Sequence, residues 1–122
     1  EAAINIKKLQ TRGEKREELW YASNEQTPYT GWVKEMHYNG QICDLEQYKD
    51  GKKHGPGIGW YENGQKKWEV THKDDKIMTA VAWTPKGERC PETNVFNGNG
   101  VLIYYNEDGT EAYRQTYKDG NK

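Results

Sequence analysis

Two turn phrases recur along this chain at one fixed offset, and that cadence limits the fold more than any single residue does. One series, Tyr38-Asn39-Gly40, Glu62-Asn63-Gly64, Pro85-Lys86-Gly87 and Glu107-Asp108-Gly109, ends at positions 40, 64, 87 and 109. The other includes Tyr48-Lys49-Asp50-Gly51, His72-Lys73-Asp74-Asp75 and Tyr117-Lys118-Asp119-Gly120, and its turns end at 51, 75, 98 and 120. Both series step by 24, 23 and 22 residues, with an offset of 11 inside each unit. Two markers that keep one period define a repeat array. The units are 31–54, 55–77, 78–99 and 100–122.

Each unit reads as a β-hairpin. Thr84-Pro85-Lys86-Gly87 has Pro at the second turn position and Gly at the fourth, as a type I turn favours. The glycine then takes a left-handed conformation, which gives a three-residue loop with a bulge. The same loop fits Glu62-Asn63-Gly64 and Glu107-Asp108-Gly109. With it, Trp60 pairs with Lys66 and Ile58 with Trp68. One face then carries Ile58, Trp60, Trp68, Val70 and His72 in the second unit. In the fourth it carries Val101, Ile103, Tyr105, Tyr113 and Tyr117, and in the third Val81, Trp83, Pro91 and Val95. The first unit (Trp32, Met36, Ile42, Tyr48) is less regular, because Lys34, Asp44 and Glu46 share its face. The expected fold is all-β: a meander of four hairpins in a single twisted, solenoid-like antiparallel sheet. Residues 1–18 read as a loose charged leader. Residues 19–30, with Leu19-Trp20-Tyr21 and Pro28-Tyr29-Thr30, read as a partial unit that covers the first edge, since repeat arrays need caps.

Composition agrees with a thin sheet. Leu, Ile, Val and Phe number only 16 of 122 residues, while 15 aromatic rings supply most of the apolar area. A single sheet has little to bury an aromatic face against, so either it curls on itself or something covers it. The formal net charge of −1 argues against a dedicated nucleic-acid binder. No apolar run reaches the length of a membrane helix. Two cysteines make no disulfide scaffold, and neither CxxC nor HExxH occurs.

The phrases Tyr48-Lys49-Asp50-Gly51-Lys52-Lys53-His54-Gly55 and Trp60-Tyr61-Glu62-Asn63-Gly64-Gln65-Lys66-Lys67 resemble MORN-variant repeats, as found in bacterial YwqK-type, antitoxin-labelled proteins. Leu19-Trp20-Tyr21 followed by Pro28-Tyr29-Thr30-Gly31 is similar to the usual opening of that family, so the likeness covers about 19–122. The third unit departs from it, with Asp75 and Met78 in place of glycines. The resemblance implies a scaffold, with lipid contact proposed for some members. With Ala2 and Ala3 near a start at Glu1, it also points to export, secreted or periplasmic, with a cytoplasmic location as the alternative.

No residue set makes a catalytic or metal site. Cys43 and Cys90 sit at equivalent positions two units apart, about 19 Å across four strand spacings. A disulfide needs about 7 Å between Cα atoms, so both are expected free, on the face opposite the aromatic stripe. His37 lies near Cys43 on one hairpin, but a flat hairpin offers no pocket for nucleophilic catalysis. His54 reads as a solvent-facing turn residue, and His72 as a member of the stripe. Asp50, Asp74, Asp75, Asp108 and Asp119 are turn carboxylates that bond their own backbone. Lys52-Lys53-His54 and Lys66-Lys67 could touch lipid headgroups, but more simply solvate turns and edges. Gly55, Gly57 and Gly59 alternate in a strand with no helix after them, which excludes a phosphate loop; they leave room for neighbouring Trp rings.

The expected function is therefore non-catalytic, with no cofactor and no metal: a module for protein–protein interaction or self-association through an aromatic face. Its binding residues are Trp60, Trp68, Trp83, Tyr105 and Tyr113. The alternatives are a glycan or cell-wall binding module that uses stacked rings, or an antitoxin that binds a toxic partner protein.

Overall fold

Four loops of one construction join strands at one end of the molecule. His37, Tyr61, Thr84 and Asn106 each donate a backbone N–H to the carbonyl four residues on, and each accepts from a glycine three residues on, at 2.8–3.1 Å. The four glycines, 40, 64, 87 and 109, have φ of 84–92°. These are the expected three-residue loops. At the other end stand two-residue turns, Asp50-Gly51, Asp74-Asp75, Asn97-Gly98 and Asp119-Gly120, with every φ between 49° and 84°. Positive φ at both central residues is the type I′ geometry that suits the twist of a hairpin.

The computed structural model describes residues 3–12, 19–22 and 25–122. Its strands are β1 (Ile4–Asn5), β2 (Leu9–Arg12), β3 (Leu19–Ala22), β4 (Gly31–Met36), β5 (Ile42–Lys49) and β6 (Lys52–Trp60). They continue as β7 (Lys66–Lys73), β8 (Lys76–Ala82), β9 (Asn94–Phe96), β10 (Asn99–Tyr105) and β11 (Glu111–Tyr117). Nine form one sheet in the order β1-β4-β5-β6-β7-β8-β9-β10-β11. All neighbours pair antiparallel except β1, which lies parallel to β4. The protein is all-β.

The loops stack on one another one period apart. The Tyr61 hydroxyl donates to the Trp83 carbonyl at 2.6 Å, and His37 Nε2 lies 2.8 Å from the Trp60 carbonyl. Asn39 and Asn63 each donate to the next loop, to the carbonyls of Glu62 and Pro85. One contact skips a period: Glu62 N–H donates to Glu107 Oε1 at 3.1 Å. That contact is possible only because the sheet curls. The inner faces of β7 to β11 then meet in one core of Val70, Ile77, Ala80, Ala82, Val95, Leu102 and Tyr117. Burying each large apolar side chain contributes about 1.5–3 kcal/mol. The sheet stays open, with β1 and β11 at its edges.

The expected single aromatic face does not exist. Trp60 does pair with Lys66, but the next residue, Lys67, bulges out, and Gly59 then faces Trp68 while Ile58 faces Glu69. The bulge recurs at Cys43, where Met36 pairs with Ile42 and Glu35 with Asp44. It recurs again at Ala112, between the Tyr105–Glu111 and Tyr104–Tyr113 pairs. One extra residue on one strand transfers the rest of that strand to the other face. Trp68, Val70 and His72 therefore face inward, together with Tyr104, Tyr113 and Tyr117, while Ile58, Trp60, Val101, Ile103 and Tyr105 take the opposite side of their strands, where Ile103 is nonetheless fully buried. In the third unit Val95 pairs with inward Ala80, and Val81 and Trp83 point outward.

The leader also differs from expectation. Residues 3–12 are held by packing: β1 pairs with β4, and Leu9 is buried with Val33 and Tyr48 while Ile4, Ile6 and Trp20 pack around them. Ile4, Ile6 and Leu9 bring enough apolar surface to dock a segment whose lysines stay outside. Residues 13–18 lie outside the described residues. The first edge is covered by β1 rather than by 19–30. The latter segment bonds instead to the Asp50-Gly51 turn, through Trp20 N–H to the Gly51 carbonyl and Gly51 N–H to the Tyr29 carbonyl.

Candidate binding cleft

The curl leaves an open cleft of about 450 Å³ on the concave side, between β5–β8 and β10–β11. Strand alternation decides what enters it. On β5, Asp44, Glu46 and Tyr48 point inward; on β7, Trp68, Val70 and His72 do so from the matching positions. Gly57 and Gly59 on β6 present no side chain, and their neighbours fill the space. A Cβ on Gly57 would lie 2.9 Å from Glu46 Cγ, and one on Gly59 would lie 2.5 Å from the Trp68 ring. From the opposite wall come Leu102, Tyr104 and Tyr117.

Two carboxyls are thus sunk into a wall that mixes Lys53, His72 and Asp75 with Trp68, Val70 and Ile77. Glu46 is 7% exposed and is answered by Lys53, whose ammonium lies 3.0 Å away. Burial works against the Lys53 charge, but the Glu46 carboxylate outweighs it and the lysine pKa rises. Asp44 lacks such a partner. Its Oδ1 is buried with no hydrogen bond, and burial, followed by the Glu46 charge, lifts the carboxyl to about 7. His72 is lowered to about 4 by burial and by Lys53, so it is neutral at pH 7. Its Nδ1 lies 3.8 Å from Glu46 Oε1. Burial and a hydrogen bond with Tyr117 push the Tyr104 phenol up. Asp75 at the rim accepts Lys53 N–H at 2.8 Å.

The residues singled out in the sequence disperse. Trp68 lines the cleft, and Tyr113, 56% exposed, stacks on Tyr104 at 4.5 Å beside it. Trp60 and Trp83 lie on the outer face, where the Lys66 ammonium sits 5.3 Å from the Trp83 ring centroid. Tyr105 is outward too, its hydroxyl donating to Cys90 Sγ at 3.1 Å. Both cysteines are free. They occupy the bulge position of their hairpins, Cys43 half-buried and Cys90 buried. His54 lies within β6 rather than in a turn, half-buried, with Nδ1 3.6 Å from Asp74 Oδ1. His37 is used in loop stacking. Among the described residues no cluster of His, Cys, Asp and Glu could hold a metal ion, and no helix is long and apolar enough to cross a membrane.

The Asp44–Glu46 pair was visible in the sequence only as an irregularity of the first unit. It stands where the second unit has Trp68 and Val70. A charged pair that displaces core residues from a repeat was the available signal.

The sequence matches no family model, no curated protein and no solved structure.

Proposed function

We propose that the chain is a non-catalytic module for protein–protein interaction or assembly, built from four hairpin repeats of the MORN type over 31–54, 55–77, 78–99 and 100–122. The repeat reading is supported by the four like loops, the four type I′ turns, and the hydrogen bonds that run from a loop residue to the residue just before its equivalent in the next loop, 22 or 23 residues on.

The observation that carries the interaction reading is β11. This seven-residue strand pairs with β10 on one side and with no described strand on the other. An open edge offers a row of backbone donors and acceptors to an incoming strand. Tyr113 is exposed on that same strand, stacked on Tyr104 and so held in one orientation. A rigid ring beside an open backbone row makes a strand-addition site in which the backbone gives affinity and the ring gives register.

Sedimentation velocity across a wide concentration range, with amide NMR, tests the reading in its self-assembly form. The expected result is reversible association, with broadening centred on 111–117 and abolished by Tyr113→Lys or Thr116→Pro. A chain that stays monomeric at the highest concentration, with sharp β11 resonances, retires that form.

A further inference from the structure

The concave cleft contains a carboxyl short of hydrogen-bond donors beside an aromatic ring. Asp44 and Trp68 both flank Gly59 across neighbouring strands, since Gly59 pairs with each of them. Because Gly59 has no side chain, the indole lies flat over its Cα, within 2.5 Å of where a Cβ would stand. The plate thus extends across β6 towards the carboxyl. Glu46, two residues along β5, shows what this wall does with a carboxylate: it takes a lysine ammonium at 3.0 Å. Asp44 Oδ1 is closed to solvent and has no donor, while the residue as a whole is half-buried and lines the cleft. A carboxyl short of donors is costly to hold there, and donors brought to its open side from the cleft recover part of that cost.

We propose that the cleft binds a primary alkylammonium group, its N–H donors directed to Asp44 and its charge resting against the Trp68 indole. The surrounding groups favour a cation over an anion. Glu35 on β4, Glu46 on β5 and Asp75 at the β7–β8 turn are acidic; Lys53 on β6 is already engaged by Glu46, His72 is neutral, and Lys122 is the one other cation in the lining. An ammonium fits better than a neutral hydroxyl ligand, because only a cation both supplies donors and restores the charged form of Asp44. The group has two sources, a free diamine or a lysine side chain on another protein. This inference does not depend on the β11 edge.

The probes are 1,5-diaminopentane, N-acetyl-lysine methylamide and tetramethylammonium, titrated at constant ionic strength. The readouts are the Trp68 indole N–H and the Asp44 side-chain carboxyl carbon by NMR. Saturable shifts at both sites are expected with the primary amines. The Asp44 titration midpoint should fall by about a unit at saturation, as an adjacent cation dictates. Asp44→Asn should weaken binding at least tenfold, and Trp68→Leu roughly threefold or more. Tighter binding of the lysine amide would assign the group to a protein partner, and tighter binding of the diamine to a free polyamine; both support the proposal. Shifts that never saturate, equal binding by Asp44→Asn, or equal binding of tetramethylammonium, which has no N–H, would overturn it. Should Asp44→Asn not fold, the Asp44 midpoint in the unmodified protein decides: no movement with amine refutes the site.

Discussion

Gly59 lies directly beneath the Trp68 indole, so close that a methyl group there would sit 2.5–2.9 Å from three ring carbons. The pairing is cross-strand and flat, and it places the largest side chain of β7 over the emptiest stretch of β6. Gly59→Ala must therefore push a rigid, packed ring aside. Overpacking of that kind costs about 1–3 kcal/mol, and this position falls at the upper end because the new methyl meets three carbons of a rigid ring rather than the tip of a flexible chain. Trp68→Val alone should cost about 3 kcal/mol for lost burial. The double variant should be less destabilised than the sum by 1 kcal/mol or more, since each change removes the other's clash or cavity. Urea unfolding of the four proteins measures this; additive values would mean that the two residues do not touch.

Asp75 stands where the other two-residue turns have Gly51, Gly98 and Gly120, and it adopts the same left-handed backbone, with φ +69°. Its carboxylate compensates by accepting Lys53 N–H at 2.8 Å, while its own N–H donates to the Lys53 carbonyl. Asp75→Ala keeps the strain and loses the acceptor, and should cost about 2 kcal/mol. Asp75→Gly loses the acceptor but relieves the strain, so its stability should stay within about 0.5 kcal/mol of the parent. Equal losses for the two variants in denaturant titrations would show that backbone strain is not the issue at this turn.

The turns were the legible part of this protein. Asn63-Gly64 and Asp119-Gly120 announce chain reversals through local backbone chemistry that no tertiary contact overrides, and the loop at 62–64 formed as expected. The faces were not legible, and the reason is one residue. The bulge at Lys67 is held by a bond from Trp83 N–H to the Lys67 carbonyl, from a strand the alternation pattern of one hairpin does not include. Beyond that residue every side chain of β7 changes side, so Trp68 reaches the cleft while Trp60 faces out. Asp44 and Glu46 were legible only as an irregularity of the first unit's face. A period of two puts them on the first unit's apolar face but names nothing opposite them, and only the curl, fixed by contacts such as Glu62 with Glu107, brings them under Tyr104 and Leu102. Ile4 and Leu9 escaped notice because the lysines around them dominate a short window.

The two cysteines should differ in reactivity. Burial raises the Cys43 thiol pKa, with Glu35 adding to the effect. At Cys90 burial acts in the same sense, but hydrogen bonds from Thr93 and Tyr105 prevail and the pKa falls. Access, however, outweighs acidity here, because Cys90 is 2% exposed. A disulfide reagent added to the native protein should modify Cys43 slowly and Cys90 only at the rate of unfolding. Cys90→Ala should cost about 1–3 kcal/mol, because the Thr93 and Tyr105 hydroxyls lose their shared acceptor. Cys90→Ser, which keeps an acceptor, should cost less. Rapid native labelling of Cys90 would contradict this packing.

The cleft couples two groups whose pH effects oppose each other. Asp44 is raised from the ordinary carboxyl value of 3.8 to about 7, so the folded state holds this proton more tightly than the unfolded chain does. Its stabilising contribution is complete below about pH 3.8 and is lost as pH rises towards 7. His72 is lowered from 6.5 to about 4, so its contribution is complete above pH 6.5 and is lost as pH falls towards 4. Over pH 4–6.5 the two slopes have opposite signs and largely cancel in the parent protein. Asp44→Asn removes one of them, and relative to the parent this variant should lose stability as pH falls through that window. His72→Gln removes the other, and relative to the parent it should lose stability as pH rises through it. After allowance for the partial exposure of both groups, each swing should be on the order of 2 kcal/mol. Urea midpoints at a series of pH values, taken as differences from the parent so that surface carboxylates cancel, provide the measurement. Two variants that track the parent in parallel would show that neither group is held in its buried form by the fold.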